Sequence, residues 1–345
     1  MLYNITHVAD LDGMASAAFL ARCYGMPTGN IIFVNYGAQD VGRAMKELSG
    51  IEGTGNVLVI TDFSMTPENF SIMEKALARF RRKNNSIIWL DHHPWPESII
   101  RKASKYCDMM IVGENAYFCG AELVYNLLCK RDRYGDRLAK ITHLSDFWLK
   151  SKSRKDNETV SMVAFGIKQM RSYADGEDRL RGYVHDLSQG RIGSRLIRDA
   201  YEEYMRRTRP ELERMLKECK IIKSAGIRIG VGFGIVLSAQ EACMAIIDRL
   251  KCDISIYISN DSMHGSMRSR RNKGTWGIDI LKLAKSLNGG GHPLAAGFSI
   301  ENEGYDLLKA HDRELLVDRI GKVAERLYGN RVRWFQQSTG RSITR

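Results

Sequence analysis

The run Leu90-Asp91-His92-His93 sets one carboxylate beside two imidazoles directly after the apolar stretch SIIWL. Unpaired charge at the end of a buried segment costs several kcal/mol, so something must neutralise it. Other carboxylates repeat the same plan. Asp10 and Asp12 come just after YNITHV, Asp62 ends NVLVIT, and THLSDFW adds Asp146. Each of these Asp residues taken alone reads more readily as a helix N-cap, but four such sites in one half of the chain are poorly explained that way. Converging carboxylates repel unless cations lie among them. Carboxylate with imidazole and no thiolate suits Mn²⁺ or a similar divalent ion. The donors are too many for one ion, so two ions sharing a carboxylate is the simplest arrangement, the recurring device for in-line displacement at phosphorus.

A second group lies far along the chain. NGGGHPLAAGF comes after the helical pattern GIDILKLAKSL, and its three glycines, Gly289, Gly290 and Gly291, let backbone approach an anion closely, with His292 as a donor beside them. Arg268, in SMRSRR, is placed to fork onto a phosphate. This reads as a phosphate clamp after a helix stop. GVGFG at Gly230–Gly234 lacks the helix context of a nucleotide loop and reads as sheet or turn. His143, His185 and His311 read as structural histidines on helix faces.

The elements that must position these groups alternate. MLYNITHV, NIIFVNYG, NVLVITDF and SIIWLDHH are strand candidates separated by helical patterns, which predicts a mainly parallel sheet covered on both faces. Such sheets bind ligands at the carboxyl ends of their strands. At 345 residues, two domains are expected. The first, with the metal site, is placed at 1–150 and a helical connector, interrupted near Pro210, at 151–220. A smaller α/β domain comes next at 221–328, then a loose basic tail at 329–345.

Composition, with 44% hydrophobic and 27% charged residues, is that of an ordinary globular protein. No secretory leader and no run of about 18 apolar residues is read, so a cytoplasmic location without a membrane is expected. The seven cysteines read as reduced small hydrophobes. A net charge of +12 favours a polyanionic partner. Basic clusters stand at Arg79–Lys83, Arg206–Arg209, Arg268–Arg271 and Arg331–Trp334.

Taken together these residues closely resemble the DHH phosphoesterase family, in the branch with a DHH-associated second domain (DHHA1). His7, Asp10 and Asp12 match its first motif, Asp62 its second, Asp91-His92-His93 its third and Asp146 its fourth. Arg268 and Gly289–His292 match its SxRS and GGGH elements. The resemblance implies two α/β domains flanking a cleft and two Mn²⁺ ions, with Mg²⁺ or Co²⁺ as substitutes. By motif, His7, Asp10 and Asp62 would hold one ion; Asp12, Asp62, His92 and Asp146 would hold the other. Asp91 would orient an imidazole, while His93, Arg268 and His292 would contact the scissile phosphate. The first motif is spaced His7-x2-Asp10-x-Asp12 here, where many members have one residue more. The activity implied is phosphodiester hydrolysis. Compact length and basic charge favour a RecJ-like exonuclease of replication or repair acting on single-stranded DNA or RNA, with 3′→5′ polarity preferred. A nanoRNase or pAp phosphatase is the alternative enzyme, and a replisome scaffold binding the GINS complex the alternative of another class.

Overall fold

The structure, a computed structural model, describes residues 1–113, 117–147, 149, 151–224, 226–270, 276–301, 303–329, 333–336 and 342–344. It divides into two compact units, Met1–Tyr204 and Met205–Arg345.

The first unit is built on five parallel strands, β1 (Leu2–His7), β2 (Ile31–Val34), β3 (Val57–Thr61), β4 (Ser86–Leu90) and β5 (Met109–Ile111). Their order is β2-β1-β3-β4-β5. Helices α1 (Leu11–Tyr24), α2 (Ala38–Gly50), α3 (Pro67–Arg82) and α4 (Glu97–Ala103) connect them. Apolar side chains point alternately to the two faces, as the period of two in a strand requires. Ile5, Ile32, Val34, Leu58, Ile60, Ile87 and Trp89 join α2, α3 and α4 in one core. Ile31, Phe33, Val59 and Leu90 face the other way, against α1 and further helices. These begin with α5 (Gly120–Leu128), α6 (Arg133–Asp146), α7 (Arg154–Arg171) and α8 (Gly176–Ser188). The last, α9 (Arg195–Glu218), contributes its start. With both faces covered, the strands read as continuous apolar runs, which is why four of the five were visible in the sequence.

The first unit ends at Tyr204 rather than near 150 because Val163, Ile167, Tyr183 and Val184 of α7 and α8 share one core with α1. The expected break near Pro210 does not occur. One helix runs from Arg195 to Glu218 with Pro210 inside it. Burial of Tyr204 before the proline and of Leu212, Met215 and Leu216 after it outweighs the roughly 3 kcal/mol that an interior proline costs. The expectation of seven reduced cysteines is also corrected. Cys23, at the end of α1, pairs with Cys129, just past α5, as a disulfide whose Cα atoms lie 5.8 Å apart. Packing of α1 on α5 brings together residues 106 apart in sequence, a proximity that spacing cannot reveal.

The second unit holds a six-stranded mixed sheet in the order β11-β12-β9-β8-β7-β6. Its strands are β6 (Lys220–Ser224), β7 (Ile227–Gly234), β8 (Ile254–Ser259), β9 (His264–Ser269), β11 (Gly290–His292) and β12 (Ala295–Ser299). Only β7 and β8 pair in parallel, through the crossover helix α10 (Ala239–Leu250). GVGFG lies within β7, where Gly230 and Gly232 make room for Ile246 of α10 and for Met215. Helices α11 (Leu281–Lys285) and α12 (Ala310–Tyr328) contribute Leu283, Ala284, Leu316 and Ile320 to the main core of this unit. A small separate sheet joins β10 (Trp276–Ile278) to β13 (Arg333–Gln336) and β14 (Ser342–Thr344). Part of the tail expected to be loose is therefore strand. Residues 330–332, 337–341 and 345 of it, Arg331 among them, lie outside those described, as does Arg271.

Candidate metal centre

In the strand order β2-β1-β3, chain direction from the first strand reverses sides, and the carboxyl ends of β1, β3 and β4 open onto one crevice. His7 is the last residue of β1, Asp62 comes directly after β3, and Asp91-His92-His93 directly after β4. Asp146 arrives at the last turn of α6. Beneath them runs a buried polar chain. Asn4 Nδ2 donates to Thr61 Oγ1 at 3.1 Å, Thr61 to Thr6 Oγ1 at 2.9 Å, and Thr6 to the Gly13 carbonyl at 3.0 Å, tying β1, β3 and the start of α1 together. A side chain at Gly13 would collide with the His7 carbonyl, so glycine is required where α1 turns back over β1.

Three donor groups converge there among the described residues: His7 with Asp10 and Asp62; Asp62 with His92 and His93; and Asp12 with His92 and Asp146. Each keeps its ligand atoms within 4.8 Å of one another. His7 Nδ1 lies 3.7 Å from Asp10 Oδ2 and 3.8 Å from Asp62 Oδ2. His92 Nε2 lies 3.7 Å from Asp12 Oδ2, 3.8 Å from Asp62 Oδ1 and 3.6 Å from Asp146 Oδ2. These separations are too long for hydrogen bonds. They match the spacing of ligands around an ion held at about 2.0–2.2 Å from each. Asp62 faces both sides: Oδ2 looks toward His7 and Oδ1 toward His92 and His93.

Electrostatics say the same. Asp62 is buried, and its Oδ2 accepts no hydrogen bond among the described residues. Burial, then the charges of Asp12 and Asp10, push its carboxyl well above the usual range. Burial likewise raises Asp12, and burial with Asp12 beside it raises Asp146 to about 8. Burial lowers His7 against the pull of Asp10. A cluster of carboxylates that a fold holds this close, and that resists ionising, is completed by cations. The residues present therefore fit divalent metal.

How each candidate ligand is aimed is also visible. Asp10 caps α1, accepting from the Asp12 amide at 3.1 Å, so the capping role and a metal role are compatible there. Asp62 is not a cap: Thr66 caps α3, and Asp62 itself sits at φ 50°, a strained conformation for a residue with a side chain. Asp12 accepts 2.7 Å bonds from the Gly120 and Ala121 amides at the start of α5. Gly120 is needed there, since a Cβ would lie 3.0 Å from both Asp12 Oδ2 and Asp62 Cβ. Asp91 sits 2.9 Å from His93 Nδ1 and accepts from Trp95 Nε1 at 2.6 Å. Burial would lower His93, but this bond and the Asp91 charge raise it overall. His143 keeps its structural reading: its Nδ1 lies 2.8 Å from Glu122, which closes the capping box of α5.

Sequence reasoning missed two neighbours. Tyr36 packs against the His7 ring with centroids 4.8 Å apart and the planes tilted by 52°, and the charge of Arg171 reaches Asp10 and His7 while its Nη2 lies 3.4 Å from Asn35 Oδ1. Tyr36 had the signal of standing just past a strand in the same sheet; Arg171, at the end of α7, had none.

The second-unit residues gather among themselves. Ala295 pairs with Arg268 on one side and with His292 on the other, so all three share a face of the sheet across β9, β12 and β11. Arg268 Nη1 donates to the Met267 carbonyl at 2.8 Å. Gly290 and Gly291 lie in the edge strand β11 rather than at the expected helix stop: α11 ends at Lys285, and Asn288 at φ 57° turns the chain through Gly289 toward the strand. Gly289 would clash with the Gly297 carbonyl if it bore a side chain, and Gly291 has φ 129°. Gly290 meets neither constraint. Some of the basic residues are committed locally. Arg81 binds Asp108 at 2.6 Å, and Arg270 Nη2 donates to the Ile247 carbonyl at 2.7 Å.

No curated protein matches this sequence significantly. Among solved structures, the chain is similar to PggH, a pGpG-specific phosphodiesterase from Vibrio cholerae, with TM-score 0.52 and 14% identity over 93% of this chain and 99% of that one. It is also similar to RecJ from Thermus thermophilus in complex with Mn²⁺, with TM-score 0.50 and 12% identity over 95% of this chain and 52% of that one. At such identities the likeness speaks for the fold alone. Residues 2–167 match the family model described as "DHH family, N-terminal domain". With that match laid over the motif residues and the parallel sheet that carries them, residues 2–167 are identified as a DHH family N-terminal domain.

Proposed function

We propose that the chain is a divalent-metal phosphodiesterase acting as an exonuclease on single-stranded DNA or RNA. The observation that carries the chemistry is Asp62, whose two oxygens face two separate donor groups across one buried cluster. His7, Asp10 and Asp62 would hold one ion, and Asp12, Asp62, His92 and Asp146 the other. When bound, a pair of divalent ions supplies Lewis acidity toward a phosphodiester and lowers the pKa of an attacking water. The chain's own residues do the positioning. The α5 amides fix Asp12, the strained backbone at Asp62 fixes the shared carboxylate, and Asp91 holds His93 in one orientation as a donor to a phosphoryl oxygen. In the second unit, Arg268 and His292 on one sheet face, with the open backbone at Gly290, would hold the phosphate chain. Carboxylates standing intact in all four motifs support chemistry over a purely structural role, and are compatible with a protein partner as well.

The net charge of +12 supports a strand rather than a small substrate. One observation favours a second reading, a hydrolase of dinucleotides and short oligonucleotides: the chain spans 99% of the pGpG-specific enzyme but 52% of the Thermus thermophilus RecJ. The two are separated by kcat/KM for single strands of two, five and about twenty nucleotides with Mn²⁺ at two salt concentrations. A strand exonuclease prefers the longest, and its advantage shrinks as salt rises, by a log–log slope of roughly 0.7 per contacted phosphate. Preference for the dinucleotide at both salts would replace the exonuclease with the short-oligonucleotide reading.

A further inference from the structure

A cavity of about 600 Å³ opens between the first turn of α6 and the turn that leads from α8 into α9. Its wall carries four arginines, Arg137, Arg191, Arg195 and Arg198, and one carboxylate, Asp186. Asp186 is taken by Arg191 at 2.6 Å, and Arg195 leans on Asp199 at 3.4 Å. Arg137 and Arg198 are exposed and close no ion pair among the described residues. Such an excess of cations in one concavity attracts an anion.

The helix start at the same place is unusual. Ser194, the residue before α9, accepts Arg198 N–H through its carbonyl at 3.2 Å, as an N-cap does. Ser194 is among the residues that line the cavity and is only 7% exposed; its hydroxyl is buried at the cavity wall and has no hydrogen-bond partner among the described residues. It therefore does not close on the first-turn amides, which an N-cap serine ordinarily satisfies. A 24-residue helix presents the positive end of its dipole there. Uncapped amides, an unpartnered buried hydroxyl and unpaired guanidinium groups together make the donor set that a phosphate group accepts.

We propose that this cavity is a second phosphate-binding site, distinct from the metal centre, taking the phosphate group of a nucleotide. Arg137 lies in the second turn of α6 and Asp146 at its last residue, nine residues and so about 14 Å apart along its axis. The group could belong to a free nucleotide or to a strand whose scissile bond lies elsewhere, and the test separates these sources. Full-length protein in EDTA is titrated calorimetrically with inorganic phosphate and with AMP, and by anisotropy with a labelled single strand lacking terminal phosphates. The same titrations are made on the Arg137→Gln/Arg198→Gln double variant and on Ser194→Ala. Both arginines are exposed, so the double variant should keep the wild-type melting temperature. Loss of phosphate and AMP binding by about tenfold or more in the double variant, with a smaller loss in Ser194→Ala, supports the site with a free nucleotide as its ligand. Unchanged small-ligand binding with a salt slope shallower by roughly 0.7 or more for the strand assigns it to backbone phosphate. If wild type and double variant bind phosphate, AMP and strand alike, the site does not exist.

Discussion

Asp91 Oδ1 lies 2.9 Å from His93 Nδ1 while its other oxygen accepts the indole N–H of Trp95 at 2.6 Å, so one buried carboxylate fixes both a ring and its tautomer. In Asp91→Asn the amide keeps its oxygen on Trp95 and offers an N–H to His93, which reverses the tautomer and removes the charge that raises His93. Turnover should fall about 10–100-fold with metal stoichiometry unchanged. Steady-state kinetics beside a Mn²⁺ titration check this, and full activity would remove His93 from the reaction.

Asp62→Asn should bring hydrolysis to near background in a folded protein. Asparagine tolerates the φ of 50° better than alanine, so this substitution tests the chemistry without adding strain. Circular dichroism with single-turnover kinetics is the measurement; near-normal turnover would exclude Asp62 as the shared ligand.

The glycine strand separates folding from function. Gly289→Ala meets the Gly297 carbonyl and should destabilise the second unit by more than about 1 kcal/mol. Gly290→Ala meets nothing within 4 Å and should leave stability within about 0.5 kcal/mol. If the open backbone approaches a phosphate, Gly290→Ala nonetheless lowers kcat/KM. Denaturant melts and kinetics on both variants check this, and unchanged kinetics would remove the strand from substrate binding.

Range in sequence decides how much of the fold and site was legible there. Asp62 and Asp91-His92-His93 were readable because strands buried on both faces leave long apolar runs, and the residue after such a run stands at a carboxyl end. β5 has three residues and leaves no run, and β6 lies where the helical pattern of α9 was read on past Glu218. The glycines suggested a loop, because nothing local reveals that β12 will pair with them. The Cys23–Cys129 pairing, the Arg171 charge at His7 and the use of Gly120 by Asp12 and Asp62 depend on helices brought together from distant sequence.

Protons and metal should compete in the cluster. Asp146, pushed up to about 8 by burial and then Asp12, holds its proton in the folded metal-free protein at pH values where the unfolded chain, near 3.8, has lost it. The folded state thus binds more protons across that window, and metal-free stability falls as pH rises through it. In EDTA, the melting temperature of wild type relative to Asp146→Asn should drop from pH 6 to pH 8, while excess Mn²⁺ removes the drop. A wild-type advantage growing with pH in EDTA would contradict the sign.

The central claim is that one carboxylate joins two ions. Mn²⁺ titration of the full-length protein monitored by electron paramagnetic resonance tests it most directly. The account predicts two bound ions per chain, with the second equivalent converting the signal of an isolated ion into that of a spin-coupled pair, and Asp62→Asn abolishing the coupling. Saturation at one ion, or two ions whose signals stay uncoupled in wild type, would contradict it.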